Sequence, residues 1–214
     1  MKKDLVEMVF ILDRSGSMSG LESDTIGGFN SMIDKQKYTA GEAIVSTVLF
    51  DDQFEVLHNR KQISEIKPIS QKEYYVRGTT ALLDAIGRSI VKMVSVYRKL
   101  ETDEKPEKTI FVITTDGMEN ASREFSKSRI KEMIEYQKEK FNWEFIFLGA
   151  NIDAINTARD FGIREDRVAN YHSDKKGTQL NYKVLSETIS ELRVNKSISS
   201  DWKTEIDKDF DNRK

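Results

Sequence analysis

Four short apolar runs punctuate an otherwise polar chain: "MVFIL" at Met8–Leu12, "AIVSTVLF" at Ala43–Phe50, "TIFVITT" at Thr109–Thr115 and "WEFIFLGA" at Trp143–Ala150. Runs of this length predict strands buried on both faces. Between them apolar residues recur with a period near 3.6, as in Leu83, Ile86, Ile90, Val94 and Tyr97, or Ile130, Met133 and Ile134, which predicts amphipathic helices. Strands alternating with helices imply an α/β fold, a doubly wound, mostly parallel sheet of about six strands with helices on both faces.

Two segments depart from that rhythm. In "FDDQFEVLHN" the three residues between Phe50 and Phe54 leave no room for a helix, so the second strand should fold back as a hairpin and make one antiparallel edge strand. The first helix, about Leu21 to Lys37, contains Gly27-Gly28, which disfavour a helix and are expected to permit close packing or a bend. After Gly149 the pattern predicts a short helix over Ile152 to Phe161, a last short strand at "RVANYH" and a closing helix over Leu180 to Val194. "WKTEIDKDFDNRK" is polar enough to read as a frayed tail, giving one domain over 1–198 and a tail over 199–214.

The composition narrows the function classes. With 34 Lys plus Arg against 36 Asp plus Glu there is no basic excess to attract nucleic acid. There is no run of about 18 apolar residues, so no membrane span is expected. The apolar segment near the N-terminus is interrupted by Glu7 and ended by Asp13, as in a strand and unlike a signal peptide. The absence of cysteine removes disulfides and thiolate chemistry. The two histidines, His58 and His172, are far apart and read as surface or packing residues.

Candidate chemistry lies where the strands end, because open parallel sheets bind ligands beyond the carboxyl ends of their strands. Asp13 closes the first strand and Asp116 the third apolar run, each followed within three residues by glycine. Two carboxylates brought together there would repel unless a cation lay between them. In "FILDRSGSMSG" every second side chain can face one ion, which groups Asp13 with Ser15 and Ser17 and leaves Arg14 and Met18 as rim. Carboxylate and hydroxyl oxygens suit Mg2+, with Mn2+ or Ca2+ as alternatives, and disfavour zinc. "YYVRGTTALLDAI" offers a third loop in which Gly78 makes the turn and a threonine caps the next helix or reaches the ion.

These motifs resemble the von Willebrand factor type A domains, whose metal-ion-dependent adhesion site combines D-x-S-x-S with a threonine and an aspartate from two later loops. Asp13, Ser15 and Ser17 match the first motif, Thr79 the threonine, with Thr80 the alternative one register on, and Asp116 in "ITTDGMEN" the aspartate. Arg77 stands where that family commonly has a first glycine. The resemblance implies a Rossmann-like sheet and a divalent-metal-dependent protein-binding module whose ion accepts an Asp or Glu carboxylate from a partner protein. Stand-alone relatives suggest a cytoplasmic setting beside an ATPase or stress-response complex.

Neighbouring residues have simpler roles. Glu119 and Asn120 are kept out of the ligand set, Asp84 is assigned to the helix dipole, and Asp51 and Asp52 to the hairpin. Met118 is assigned to the rim, and Asn170 to Tyr182 to a loop capping the closing helix or to a contact surface. Two other classes compete. A Mg2+-dependent phosphoryl-transfer hydrolase also presents an aspartate after a strand, but the haloacid-dehalogenase-like pattern wants a second aspartate where Ser15 stands. A metal-stabilised structural subunit of a larger assembly differs mainly in the permanence of its partner.

Overall fold

The computed structural model describes residues 1–150 and 152–213; Asn151, and Lys214 at the end of the expected tail, lie outside them. Its centre is a six-stranded sheet in the order β3-β2-β1-β4-β5-β6. The strands are β1 (Lys2–Asp13), β2 (Glu42–Phe50), β3 (Phe54–Gln62), β4 (Pro106–Thr115), β5 (Glu144–Ala150) and β6 (Val168–Tyr171). Every neighbouring pair is parallel except β2 and β3, which form the expected hairpin with Phe50 opposite Phe54.

Six α-helices cover the two faces of the described sheet. They are α1 (Glu22–Lys37), α2 (Leu82–Tyr97), α3 (Lys127–Phe141), α4 (Ala154–Asp160), α5 (Lys175–Asn195) and α6 (Thr204–Asn212). Val6, Met8, Phe10 and Leu12 of β1 pack into one core with Phe29 of α1 and Leu185 of α5, while Val9 and Ile11 pack into the other with Ile86 of α2 and Ile134 of α3. Such alternation is what a strand buried on both sides requires. Gly28 is the close-approach point between α1 and α5, since a Cβ there would stand 2.2 Å from the Tyr182 ring.

Two expectations are corrected. The closing helix begins at Lys175, five residues before the predicted Leu180, because the Asp174 side chain accepts the Gly177 N–H at 2.8 Å and starts it early. The C-terminal stretch is not frayed: α6 buries Ile206, the preceding Trp202 is buried and donates from Nε1 to the Asp166 carbonyl at 2.7 Å, and Lys203 Nζ reaches the Val168 carbonyl at 2.7 Å. Its apolar anchors, Trp202 and Ile206, keep the i,i+4 spacing of a helix face but are outnumbered by the charged residues around them. No helix among the described residues is long and apolar enough to cross a membrane.

Candidate metal centre

Strand order reverses between β1 and β4, and in open α/β sheets that switch point opens a crevice at the carboxyl edge. Leu12 lies beside Thr114, so the two strands end level, Asp13 as the last residue of β1 and Asp116 just after β4. Both carboxylates are 1% exposed. Asp13 Oδ1 accepts the Ser15 N–H at 2.6 Å and Oδ2 the Thr115 hydroxyl at 2.6 Å. Asp116 Oδ2 accepts the Ser173 hydroxyl at 2.9 Å, while Oδ1 is buried with no hydrogen-bond partner among the described residues.

Between the acids lies a hydroxyl cluster. Ser15 Oγ and Ser17 Oγ are 3.1 Å apart, and the Thr80 hydroxyl donates to Ser15 Oγ at 3.0 Å. Thr80 is buried and Thr79 exposed, so the threonine that meets the serines is Thr80, one residue beyond the predicted Thr79. The physical reason lies in the loop. Gly16 N–H binds the Gly78 carbonyl at 3.1 Å, Ala81 N–H binds the Asp51 carbonyl at 2.8 Å, and Thr80 N–H binds Asn120 Oδ1 at 2.9 Å, which together turn Thr80 inward.

The surrounding side chains hold these loops. Tyr74, wholly buried, donates its hydroxyl to the Asp13 carbonyl at 2.5 Å. Glu119 accepts the N–H groups of Leu83, Ala121 and Ser122, so it ties the Asp116 loop to α2. Asp84 does more than face a helix dipole, since it accepts the N–H groups of Arg123, Glu124 and Phe125. Arg14 and Met18 are not rim: Arg14 is fully buried against Asp51 and Glu55, and Met18 is 2% exposed, whereas Met118 is 70% exposed. Asp51 is likewise more than a hairpin residue, for it pairs with both Arg14 and Arg77. His58 bonds Thr47 Oγ1 at 3.0 Å and His172 the Phe210 carbonyl at 3.1 Å, both as packing residues.

Ser173 is the contributor that sequence reasoning missed. It lies two residues beyond β6, inside the 170–182 segment, and only its position after a strand points to it in the sequence. Electrostatics set Asp13 apart. Burial pushes its carboxyl up to about 6 and the nearby Asp116 adds to the rise, against the opposing bonds from Ser15 and Thr115. Among the described residues no group of three or more His, Cys, Asp or Glu forms a metal cage. What is present is a pair of acids and three hydroxyls, the donor set of a hard divalent ion rather than of a thiolate or imidazole site. Two features fit such an ion: the orphaned Asp116 Oδ1, and Gly117, where a Cβ would stand 2.8 Å from Ser17 Oγ and 3.0 Å from Thr80 Oγ1.

The fold is thus a mostly parallel Rossmann-like α/β sheet of the von Willebrand factor A type. Among solved structures, the zinc-bound form of proximal thread matrix protein 1 from the mussel byssus, described as having a zinc-occupied MIDAS motif, is 14% identical with a TM-score of 0.59 over 86% of this chain and 46% of its own. The von Willebrand factor domain of the type V pili tip protein Mfa5 from Porphyromonas gingivalis is 11% identical, with a TM-score of 0.61 over 86% of this chain and 94% of its own. Manganese-loaded TRAP protein from Plasmodium vivax is 15% identical, with a TM-score of 0.56 over 84% of this chain and 73% of its own. The chain spans just under half the length of the mussel protein. No family model and no curated protein sequence matches the chain.

Proposed function

We propose that this chain is a divalent-metal-dependent protein-binding module. Asp13, Ser15, Ser17, Thr80 and Asp116 would hold the ion, with Thr80 in the place first assigned to Thr79. The observation that carries the reading is the pair of buried acids that, among the described residues, has no cationic side chain beside it and leaves one oxygen of Asp116 unpartnered. Mg2+ is the expected ion. Mn2+ and Ca2+ suit the same oxygens, and zinc enters as a competitor because the mussel protein's MIDAS is described as zinc-occupied. Bound there, the ion supplies a Lewis-acidic position for an Asp or Glu of a partner protein.

The chain's own residues do the positioning. Thr115 and the Ser15 N–H fix both oxygens of Asp13, Ser173 fixes one oxygen of Asp116, and Asn120 holds the Thr80 backbone. Ser17 is exposed while Ser15 is buried, so the site opens outward on the Ser17 side. Affinity capture from lysate with wild type and Asp13→Ala, each in Mg2+ and in chelator, tests the reading. Partners retained only by wild type in Mg2+ support it, and partners retained equally in all four arms contradict it. Phosphoester turnover that disappears in Asp13→Ala would instead support the hydrolase reading. A stoichiometric partner that survives chelation would favour the structural-subunit reading.

A further inference from the structure

A second polar site lies on the α1/α5 side of the sheet. A cavity of about 10 Å3, room for the centre of one water, is lined by Met18, Thr25 of α1, Thr114 of β4, Tyr171 of β6, and Thr178, Asn181 and Tyr182 of α5. The hydroxyls of Thr114, Thr178 and Tyr182 and both amide atoms of Asn181 are buried without a hydrogen-bond partner among the described residues. All four of these residues are at least nine-tenths buried, with Thr114 7% and Asn181 2% exposed. Leaving such a group unpaired forfeits its hydration without replacement, and unpaired groups in native proteins are rare. Their convergence on one cavity from β4 and α5 therefore points to an occupant.

We infer that this cavity binds an ordered water that bridges β4 to α5. The donor set selects water over a cation, because the Asn181 amide presents N–H as well as oxygen, and a cation can be served only by oxygen. A water donates twice and accepts twice, so it serves both kinds of group. The volume excludes a larger ligand. The bridge would tie together two elements of the metal centre's frame: Thr114 is two residues from Asp116, and Thr178 lies on the helix that follows Ser173.

Wet and dry cavities predict opposite signs for the same substitutions. In Thr178→Val, which keeps the shape, and in Asn181→Leu, a bound water loses partners and its remaining partners become orphans, so Tm should fall by at least about 2–4 °C. A dry cavity would lose only orphaned polar atoms, and Tm would rise. A high-resolution crystal structure of the wild-type chain should show one water within hydrogen-bond distance of at least three of the named atoms. A rise in Tm in Thr178→Val, or density showing an empty cavity or these side chains paired with one another, overturns the inference.

Discussion

Among the described residues five acids are buried: Asp84 of α2 is held by three backbone N–H groups, and the other four, in the strands of the sheet or directly after them, divide into two kinds. Glu7, in the middle of β1, receives Arg60 Nε on both carboxylate oxygens at 3.0 Å, and Asp51, at the end of β2, receives Arg77 at 2.6 Å and Arg14 at 3.1 Å. Asp13 and Asp116 receive only hydroxyl and N–H donors, and among the described residues neither is in an ion pair. Burial raises the Asp51 carboxyl, but the Arg77, Gln53 and Arg14 contacts overrule it and its pKa falls; at Asp13 burial prevails and the pKa rises to about 6. Burial also raises the Glu7 carboxyl despite Arg60, so a guanidinium offsets part of the cost of burial at Glu7 and more than all of it at Asp51, whereas among the described residues no side-chain cation offsets it at the switch point. A buried carboxylate without a cation is costly in isolation, and a site that accepts a cation is where that cost has a purpose.

Breaking each kind of acid should have opposite consequences. Asp51→Ala leaves the buried Arg14 with Glu55 alone and removes the carboxylate partner of the part-exposed Arg77, and should cost about 1–3 kcal/mol in chemical denaturation. Asp116→Ala should raise the stability of the metal-free protein, because a repelling buried charge is removed, while lowering divalent-ion affinity more than about 100-fold by isothermal titration. If Asp116→Ala instead destabilised the metal-free fold as Asp51→Ala does, the two kinds of acid would be one.

Smaller changes sharpen the register of the site. Thr80→Val should weaken ion binding by about 10–100-fold, and Thr79→Val should leave it within about 2-fold, as read by the same titration. Gly117→Ala drives a methyl group to 2.8 Å from Ser17 Oγ and should reduce affinity without unfolding the chain, which far-UV circular dichroism would check. The pH response follows from Asp13. Its folded pKa, about 6, lies above its ordinary 3.8, so the metal-free fold holds this contribution below about pH 4 and loses it as pH rises through 6. An ion needs the ionised carboxyl, so the Tm gained on adding Mg2+ should shrink as pH falls from 7 to 5, and Asp13→Asn should abolish that trend. A Tm gain independent of pH would place the ion elsewhere.

Much of this was legible in the sequence because it rested on uninterrupted local patterns. Apolar runs marked β1, β2, β4 and β5, and the D-x-S-x-S spacing with the Asp116 loop marked the switch point. What escaped depended on contacts between distant segments. Thr79 and Thr80 are equivalent by composition, and only the Asn120 and Asp51 backbone bonds, from two other loops, decide which faces the serines. Ser173 is an ordinary serine until β6 is placed beside β5 and its loop reaches Asp116. Arg14 reads as rim beside a polar loop, yet Asp51 and Glu55 draw it inward. The helix α6 hides in a charged stretch because its anchors, Trp202 and Ile206, find their partners only across the chain.

The most direct measurement is anomalous diffraction from crystals grown in Mn2+. The account predicts a single strong peak at the carboxyl edge between β1 and β4, in contact with oxygens drawn from Asp13, Ser15, Ser17, Thr80 and Asp116, and lost on chelation. Saturating Mn2+ with no peak there, or a peak that engages Thr79 and leaves Asp116 Oδ1 unpartnered, would contradict it.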